Sequence, residues 1–318
     1  MNMVDVFDLT KVFNSLKAVD SISFTIKKRE IFGLLGPNGA GKTTTIRMLT
    51  GILTPTTGSA VIGGYDIQKN PLQAKQLMGI VPEMANAYID LSPLQNLLLM
   101  GELYGIKDKR EKKARELLLL FGLHEKAHHK VRTLSRGMHQ RVIVAMALMN
   151  DASILFLDEP TSGLDVESTR LIRDIIRRSK DNGISVLLTT HNISEADQLC
   201  DRIAIMNYGR IVAIERPERL KRVVESSTSI EVAFSEKVEK EELLFEDVNK
   251  IEQKGDKFRL YTDRPENVIP AVVAYADATQ NKVISLNTLG PDLEDVFLRL
   301  TAGESNGSRN GNDDENDH

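Results

Sequence analysis

The stretch from Gly36 to Thr43 reads Gly-Pro-Asn-Gly-Ala-Gly-Lys-Thr and fits the pattern G-x-x-x-x-G-K-[ST] at every fixed position. An apolar, strand-like run, Ile31 to Leu35, feeds into it, and a helix-compatible stretch, Thr44 to Leu53, leaves it. Strand, glycine-rich turn and helix in that order are the context in which such a loop binds nucleotide phosphates. Glycines let the backbone turn tightly enough for successive N–H groups to point inward, and the helix N-terminus adds its partial positive charge. Gly36, Pro37, Asn38, Gly39, Ala40, Gly41, Lys42, Thr43 and Thr44 are therefore expected to form the phosphate cradle, with Lys42 reaching the β- and γ-phosphates. Thr43 offers a hydroxyl to Mg²⁺, an ion that prefers hard oxygen ligands and shares its shell with substrate phosphates.

At 318 residues and 41% hydrophobic content, the chain has room for two domains of ordinary size. Its longer apolar runs, Ile143 to Met149 and Ile154 to Leu157, fall far short of the roughly 18 residues of a membrane span, so any membrane role is expected to be peripheral. Met1 to Asp5 lacks the pattern of a signal peptide, and Cys200 is the single cysteine, which points to a reducing, cytoplasmic setting. Beside Leu199, in an expected helix, Cys200 reads as a small packed thiol. The net charge of −4 comes from the end of the chain: Glu304, Asp313, Asp314, Glu315 and Asp317 face one base, Arg309, and without them 40 acids balance 40 bases. No basic excess marks a nucleic-acid partner. The Gly-, Asn- and Ser-rich segment 302–318 is expected to be a disordered acidic tail.

Along the chain, Val4 to Leu9, Ser21 to Ile26 and Ser59 to Ile62 read as strands of a small antiparallel sheet flanking the nucleotide. Phe13, on the segment between the first two, is placed either to stack on adenine or to fill a core rim. Ser92-Pro93 caps a helix over Leu94 to Leu103, opening a mostly helical insert at about 88–150. Within it, Lys107 to Arg115 reads as a solvated helix face, and His124, His128 and His129 as surface histidines without a metal-ligand pattern. Ser135 reads as the N-cap of the apolar helix that runs to Met149, a second anion-binding helix end. Ile154 to Leu157 suits a buried parallel strand ending in Asp158-Glu159-Pro160. There Asp158 can bind magnesium through its water shell, and Glu159 can polarise a water for attack on a γ-phosphate. Thr161 to Asp165 forms a loop before a helix over Val166 to Ser179, and the strand Ser185 to Leu188 runs into His191.

This set of motifs resembles the nucleotide-binding subunit of ATP-binding cassette (ABC) transporters over about residues 1 to 220. The phosphate loop, a signature at Leu134-Ser135-Arg136-Gly137-Met138, the run Ile154 to Glu159, a D-loop ending at Asp165 and His191 occur in the required order. The resemblance implies a phosphate-loop fold with a mainly parallel core sheet, an antiparallel β subdomain and a helical subdomain. It implies ATP and Mg²⁺ as ligands, Glu159 as catalytic base, His191 on the γ-phosphate and Phe13 against adenine. The signature would contact ATP held by a second cassette subunit, two copies of this chain being preferred to a pair with a relative. A separate transmembrane permease would complete the machine at the inner face of the membrane.

Three positions depart from the family pattern. Arg136 and Met138 replace the glycine and glutamine of Leu-Ser-Gly-Gly-Gln, and Glu83 stands where a glutamine is usual. A carboxylate at Glu83 can still ligate Mg²⁺ but adds negative charge near the phosphates. Beyond the cassette, segment 226–301 reads as a small α+β domain, with strands at Ser229 to Phe234, Val248 to Gln253, Lys257 to Thr262 and Lys282 to Leu286 and helices at Pro265 to Tyr275 and Pro291 to Leu300. Its closing run, Leu293 to Thr301, is similar to exporter ATPases of the daunorubicin-resistance type. The competing expectations are a soluble cassette ATPase acting on ribosomes or DNA, and a regulatory module that holds ATP without hydrolysing it.

Overall fold

The computed structural model describes residues 1–84, 86–222, 228–290 and 292–302; Pro291 and residues 303–318 of the expected acidic tail lie outside the described residues, whereas Ala302 is helical. The chain divides into two compact units, Met1–Arg216 and a second that begins at Pro217.

In the first unit, β1 (Asn2–Phe13) and β2 (Leu16–Lys27) form a hairpin that pairs through β1 with β4 (Thr57–Ile62) and then β5 (Tyr65–Asp66), an antiparallel sheet in the order β2-β1-β4-β5. Both hairpin strands run longer than the sequence reading, so Phe13 ends β1 and pairs with Leu16 across a two-residue turn. A second sheet has the order β10-β9-β3-β8-β7-β6. It comprises β3 (Ile31–Leu35), β6 (Met78–Val81), β7 (Ile154–Asp158), β8 (Ser185–Thr190), β9 (Arg202–Asn207) and β10 (Arg210–Glu215). All its pairings are parallel except that between β9 and β10. Every residue of β3, β7 and β8 is buried, which explains why these strands read as unbroken apolar runs rather than alternating ones.

One apolar cluster joins both sheets through α1 (Lys42–Leu49): Leu9, Ile22 and Phe24 meet Phe32, Met48, Phe156 and Leu187. The Phe24 and Phe32 rings stack at 5.2 Å. After α2 (Pro71–Gln76), a helical layer follows: α3 (Pro93–Leu103), α4 (Arg110–Leu120) and α5 (Arg136–Ala147). Ser92 and Gln95 cap α3 reciprocally. Helix α4 starts only at Arg110, after Lys109 at φ 61°, so Lys107 to Lys109 lie outside the helix expected over them. Helix α6 (Val166–Asp181) buries Ser168, Ile172, Ile175, Ile176 and Ser179, one stripe at helical spacing. Helix α7 (Ile193–Leu199) ends before Cys200, whose backbone is extended; the thiol is buried, but not within a helix as the sequence suggested.

The second unit, taken by itself, opens with α8 (Pro217–Arg222) and builds an antiparallel sheet in the order β12-β13-β11-β14. Its strands are β11 (Thr228–Phe234), β12 (Lys250–Lys254), β13 (Lys257–Thr262) and β14 (Val283–Leu289), accompanied by α9 (Pro265–Ala278) and α10 (Leu293–Ala302). Ile230, Val232, Phe258, Leu260, Val268 and Val272 make its own core. The buried Arg259 ties the sheet to the start of α10, donating to Ser229 Oγ at 2.8 Å, Asp292 at 2.5 Å and Asp295 at 3.1 Å.

Candidate functional site

Strand register gathers the chemistry at one edge of the core sheet. Leu35 is level with Thr190, Asp158 with Thr189, and Val81 with Leu157. The residues that follow these strand ends, Gly36, His191, Glu159 and Glu83, therefore emerge side by side at the carboxyl edge, where parallel sheets bind ligands. A cleft of about 520 Å³ opens there, lined by Asn38 to Thr44 together with Phe13, Glu83, Glu159 and the turn Tyr208-Gly209.

The phosphate loop is held from several sides. Gly41 takes φ 102°, and a Cβ on it would come within 2.5 Å of Ala18 O, so only glycine fits the step into α1. Ala40 O accepts from Gly209 N–H at 3.0 Å, and Gly209 O accepts from Asp20 N–H at 2.9 Å, which anchors the loop to the β9–β10 turn and to β2. The Lys42 ammonium is buried; it donates to Gly36 O at 2.7 Å and Pro37 O at 3.1 Å and lies 3.5 Å from Glu159. The other Glu159 oxygen is 2.9 Å from His191 Nδ1. Glu159 is thus bracketed by two groups able to bind a terminal phosphate, and its own backbone sits at φ 50°.

Asp158 is almost fully buried, and that burial pushes its carboxyl above the usual carboxylate range; hydroxyl donation from Thr189 and Thr43 opposes the rise. Thr43 Oγ1 stands 3.2 Å from Asp158 and 3.5 Å from Glu83, so one hydroxyl and two carboxylates, all hard oxygens, converge. This donor set fits Mg²⁺. Among the described residues no group of three or more His, Cys, Asp or Glu side chains could hold a metal, so nucleotide oxygens and water would have to complete the shell.

Phe13 lines the cleft and is 44% exposed, with Lys11 Nζ 5.2 Å from its ring centre. Two neighbours escaped the sequence reading. Tyr208 also lines the cleft, signalled only by a short Asn-Tyr-Gly turn. Thr189 donates to Asp158 Oδ1 at 2.5 Å and accepts from Glu159 N–H at 3.1 Å, and its position in a buried strand gave no hint of that role.

Leu134, Ser135, Arg136, Gly137 and Met138 are not among the residues lining this cleft. Ser135 caps α5, its hydroxyl accepting from Met138 N–H at 3.2 Å. Asp165 caps α6 by accepting from Ser168 N–H at 2.8 Å, and hydrogen bonds from Ser168 hold its carboxyl below the ordinary range. Gly137 packs against Asp165 and Ser168, so signature and D-loop meet each other within the chain and not the phosphate loop. The capped start of α5 and the phosphate-loop cleft are therefore separate features of this chain.

Comparison with known proteins agrees with this geometry. Residues 19–162 match the family described as ABC transporter. The linearmycin resistance ATP-binding protein of Bacillus subtilis is 35% identical over 308 residues, covering 94% of this chain and 98% of its own length. The chain belongs to the ABC transporter family. The Nod factor export ATP-binding protein I of Rhizobium etli is 34% identical over 305 residues, 96% of this chain and 95% of the relative. Among solved structures, an ATP-binding subunit of an ABC transporter superposes with TM-score 0.65 at 27% identity, covering 70% of this chain and 93% of the other. A dimeric cassette in a post-hydrolysis state, bound to ADP and phosphate, superposes at TM-score 0.62 with 27% identity, covering 67% of this chain and 98% of that one. This ABC cassette is an ATPase, and its first unit carries the fold those structures share. Among its described residues no helix is long and apolar enough to cross a membrane.

Proposed function

We propose that this ABC ATPase drives an exporter: it closes on ATP with a second cassette subunit, reopens after hydrolysis, and moves a separate transmembrane permease through alternate conformations at the inner face of the membrane. The observation that carries the reading is Glu159, held between Lys42 and His191 at the mouth of the phosphate loop. Export is supported by the names of the two relatives, one for resistance and one for Nod factor export.

In this reading ATP phosphates lie on the N–H groups of Gly39 to Thr44, and the γ-phosphate attracts Lys42 and His191 away from the Glu159 carboxylate. Glu159 then accepts a proton from water as its oxygen attacks the γ-phosphorus, and the bond to the β–γ bridging oxygen breaks to leave ADP. Mg²⁺ would be held by Thr43, Glu83 and Asp158, the last through water, and would offset charge on the phosphates. Phe13 stacks on adenine. Ser135 and Gly137 of the second subunit direct the α5 N-terminus at the transferring phosphoryl group, where fixed dipoles stabilise charge most effectively. Since both halves of the site occur in one chain, a pair of identical chains completes two sites.

Lys42→Ala is expected to weaken ATP binding at least tenfold, by loss of a charge-assisted contact of roughly 1.5–3 kcal/mol. Glu159→Gln should bind ATP normally and lose steady-state turnover. Retained phosphate release in Glu159→Gln would remove Glu159 from the role of base.

A further inference from the structure

Arg136 takes the third place of the signature and opens the first turn of α5. Its side chain lies across the loop that leads into α6, donating from Nη2 to Ser162 O at 3.3 Å. The contact is broader than that bond. A Cβ built on Gly163 would fall 2.5 Å from Nη2, 2.7 Å from Cζ and 2.8 Å from Nη1, so the guanidinium occupies the face of Gly163 where a side chain would stand. Gly163 itself is at φ 68°, a conformation that favours glycine.

One step further along α5 the same pattern repeats. A Cβ on Gly137 would meet Ser168 Oγ at 2.1 Å and Asp165 Oδ2 at 2.8 Å, so the two helix starts are in direct contact. The buried Arg141 adds donation to Ser168 Oγ at 3.0 Å and Glu167 at 3.1 Å. Arg141, Gly137 and Asp165 join the bases of the helices, and Arg136 carries the joint outward to the exposed loop. An arginine suits this place because a planar guanidinium can donate and lie flat on a peptide at once; a lysine keeps the charge and loses the plane.

We infer that Arg136 is a positioning residue, a latch that holds residues 162–163 against the start of α5 within one chain, so that the Ser135 helix end and the Asp165 loop are presented to a second subunit as one rigid face. The inference builds on the ATP-driven pairing proposed above. It assigns a function to the residue that departs most in size and charge from the usual signature glycine.

The test is hydrogen exchange at amides 161–165 of the nucleotide-free, full-length protein, in wild type, R136M and R136K, followed by light scattering with ATP in a Glu159→Gln background. R136M should exchange these amides about fivefold to tenfold faster, and weaken ATP-dependent pairing by about the same factor, as expected for loss of one partly exposed charged hydrogen bond. R136K should recover part of both effects. Unchanged exchange in R136M overturns the latch, and so does faster exchange with unaltered pairing. A Glu159→Gln parent that binds ATP and does not pair counts against the assembly reading alone, and the exchange comparison then decides the latch by itself.

Discussion

Glu159 holds a left-handed backbone, φ 50°, that costs a non-glycine residue about 1 kcal/mol or more. Two bonds from its N–H, to Thr189 O at 3.2 Å and Thr189 Oγ1 at 3.1 Å, maintain it there. The same hydroxyl donates to Asp158, so Thr189 sets the backbone of one acid and the charge of the other. The Asp158-Glu159 pair was legible because its two acids end an apolar run; Thr189 was not, since its partner lies 31 residues away and β8 is buried on both faces. Thr189→Val keeps the shape and removes the donor. Because burial already raises the Asp158 carboxyl, losing that donor raises it further, and the proton then competes with Mg²⁺ for the ionised form. The variant should need more Mg²⁺ for half-maximal ATPase activity, with a larger deficit at acid than at alkaline pH. A magnesium titration that superposes on wild type at both pH values would contradict this. Glu83→Gln keeps an oxygen beside Thr43 and removes its negative charge, so its magnesium requirement should also differ from wild type.

Between elements, one close fit lies where β3 meets β9 and the residue that follows α7. A Cβ on Gly33 would come 2.7 Å from Cys200 Sγ, so the thiol fills the space that a glycine in β3 leaves open. Burial pushes the thiol far above its ordinary titration range, with Glu195 and Asp201 adding to the effect, which leaves it inert toward thiol reagents in the folded state. Gly33→Ala should destabilise the protein by about 1–3 kcal/mol through overpacking, and Cys200→Ala, by removing the sulfur, should restore most of that loss. Denaturant melts of the two single variants and the double variant check this; an innocuous Gly33→Ala would contradict it. The elements here were only partly legible. Ile31 to Leu35 announced itself by leading into the phosphate loop, whereas Ile203 to Met206 is an apolar run too short to tell strand from helix by periodicity. The turn after it carried the missing signal. Tyr208 and Gly209 both have positive φ, 43° and 79°, the conformation of a tight hairpin turn, and that turn brings Tyr208 to the cleft.

At the scale of the whole molecule, every residue lining the nucleotide cleft lies in the first unit, and the second has a separate core around Ile230, Val232 and Leu260. The phosphate loop, Asp158-Glu159 and His191 were readable as one site because strand ends in a parallel sheet share an edge. The strands beyond residue 226 were readable for a different reason, their short β-branched and aromatic runs between turns, which show a fold and say nothing of its task. The proposed joining of Ser135 to the phosphate loop is not visible in one chain, since Ser135 does not line that cleft. We propose that two copies of this chain supply each other's missing half. Light scattering on Glu159→Gln with and without ATP tests it most directly. A monomer that becomes a dimer only when ATP is added is expected, and a protein that stays monomeric while demonstrably binding ATP would contradict this pairing.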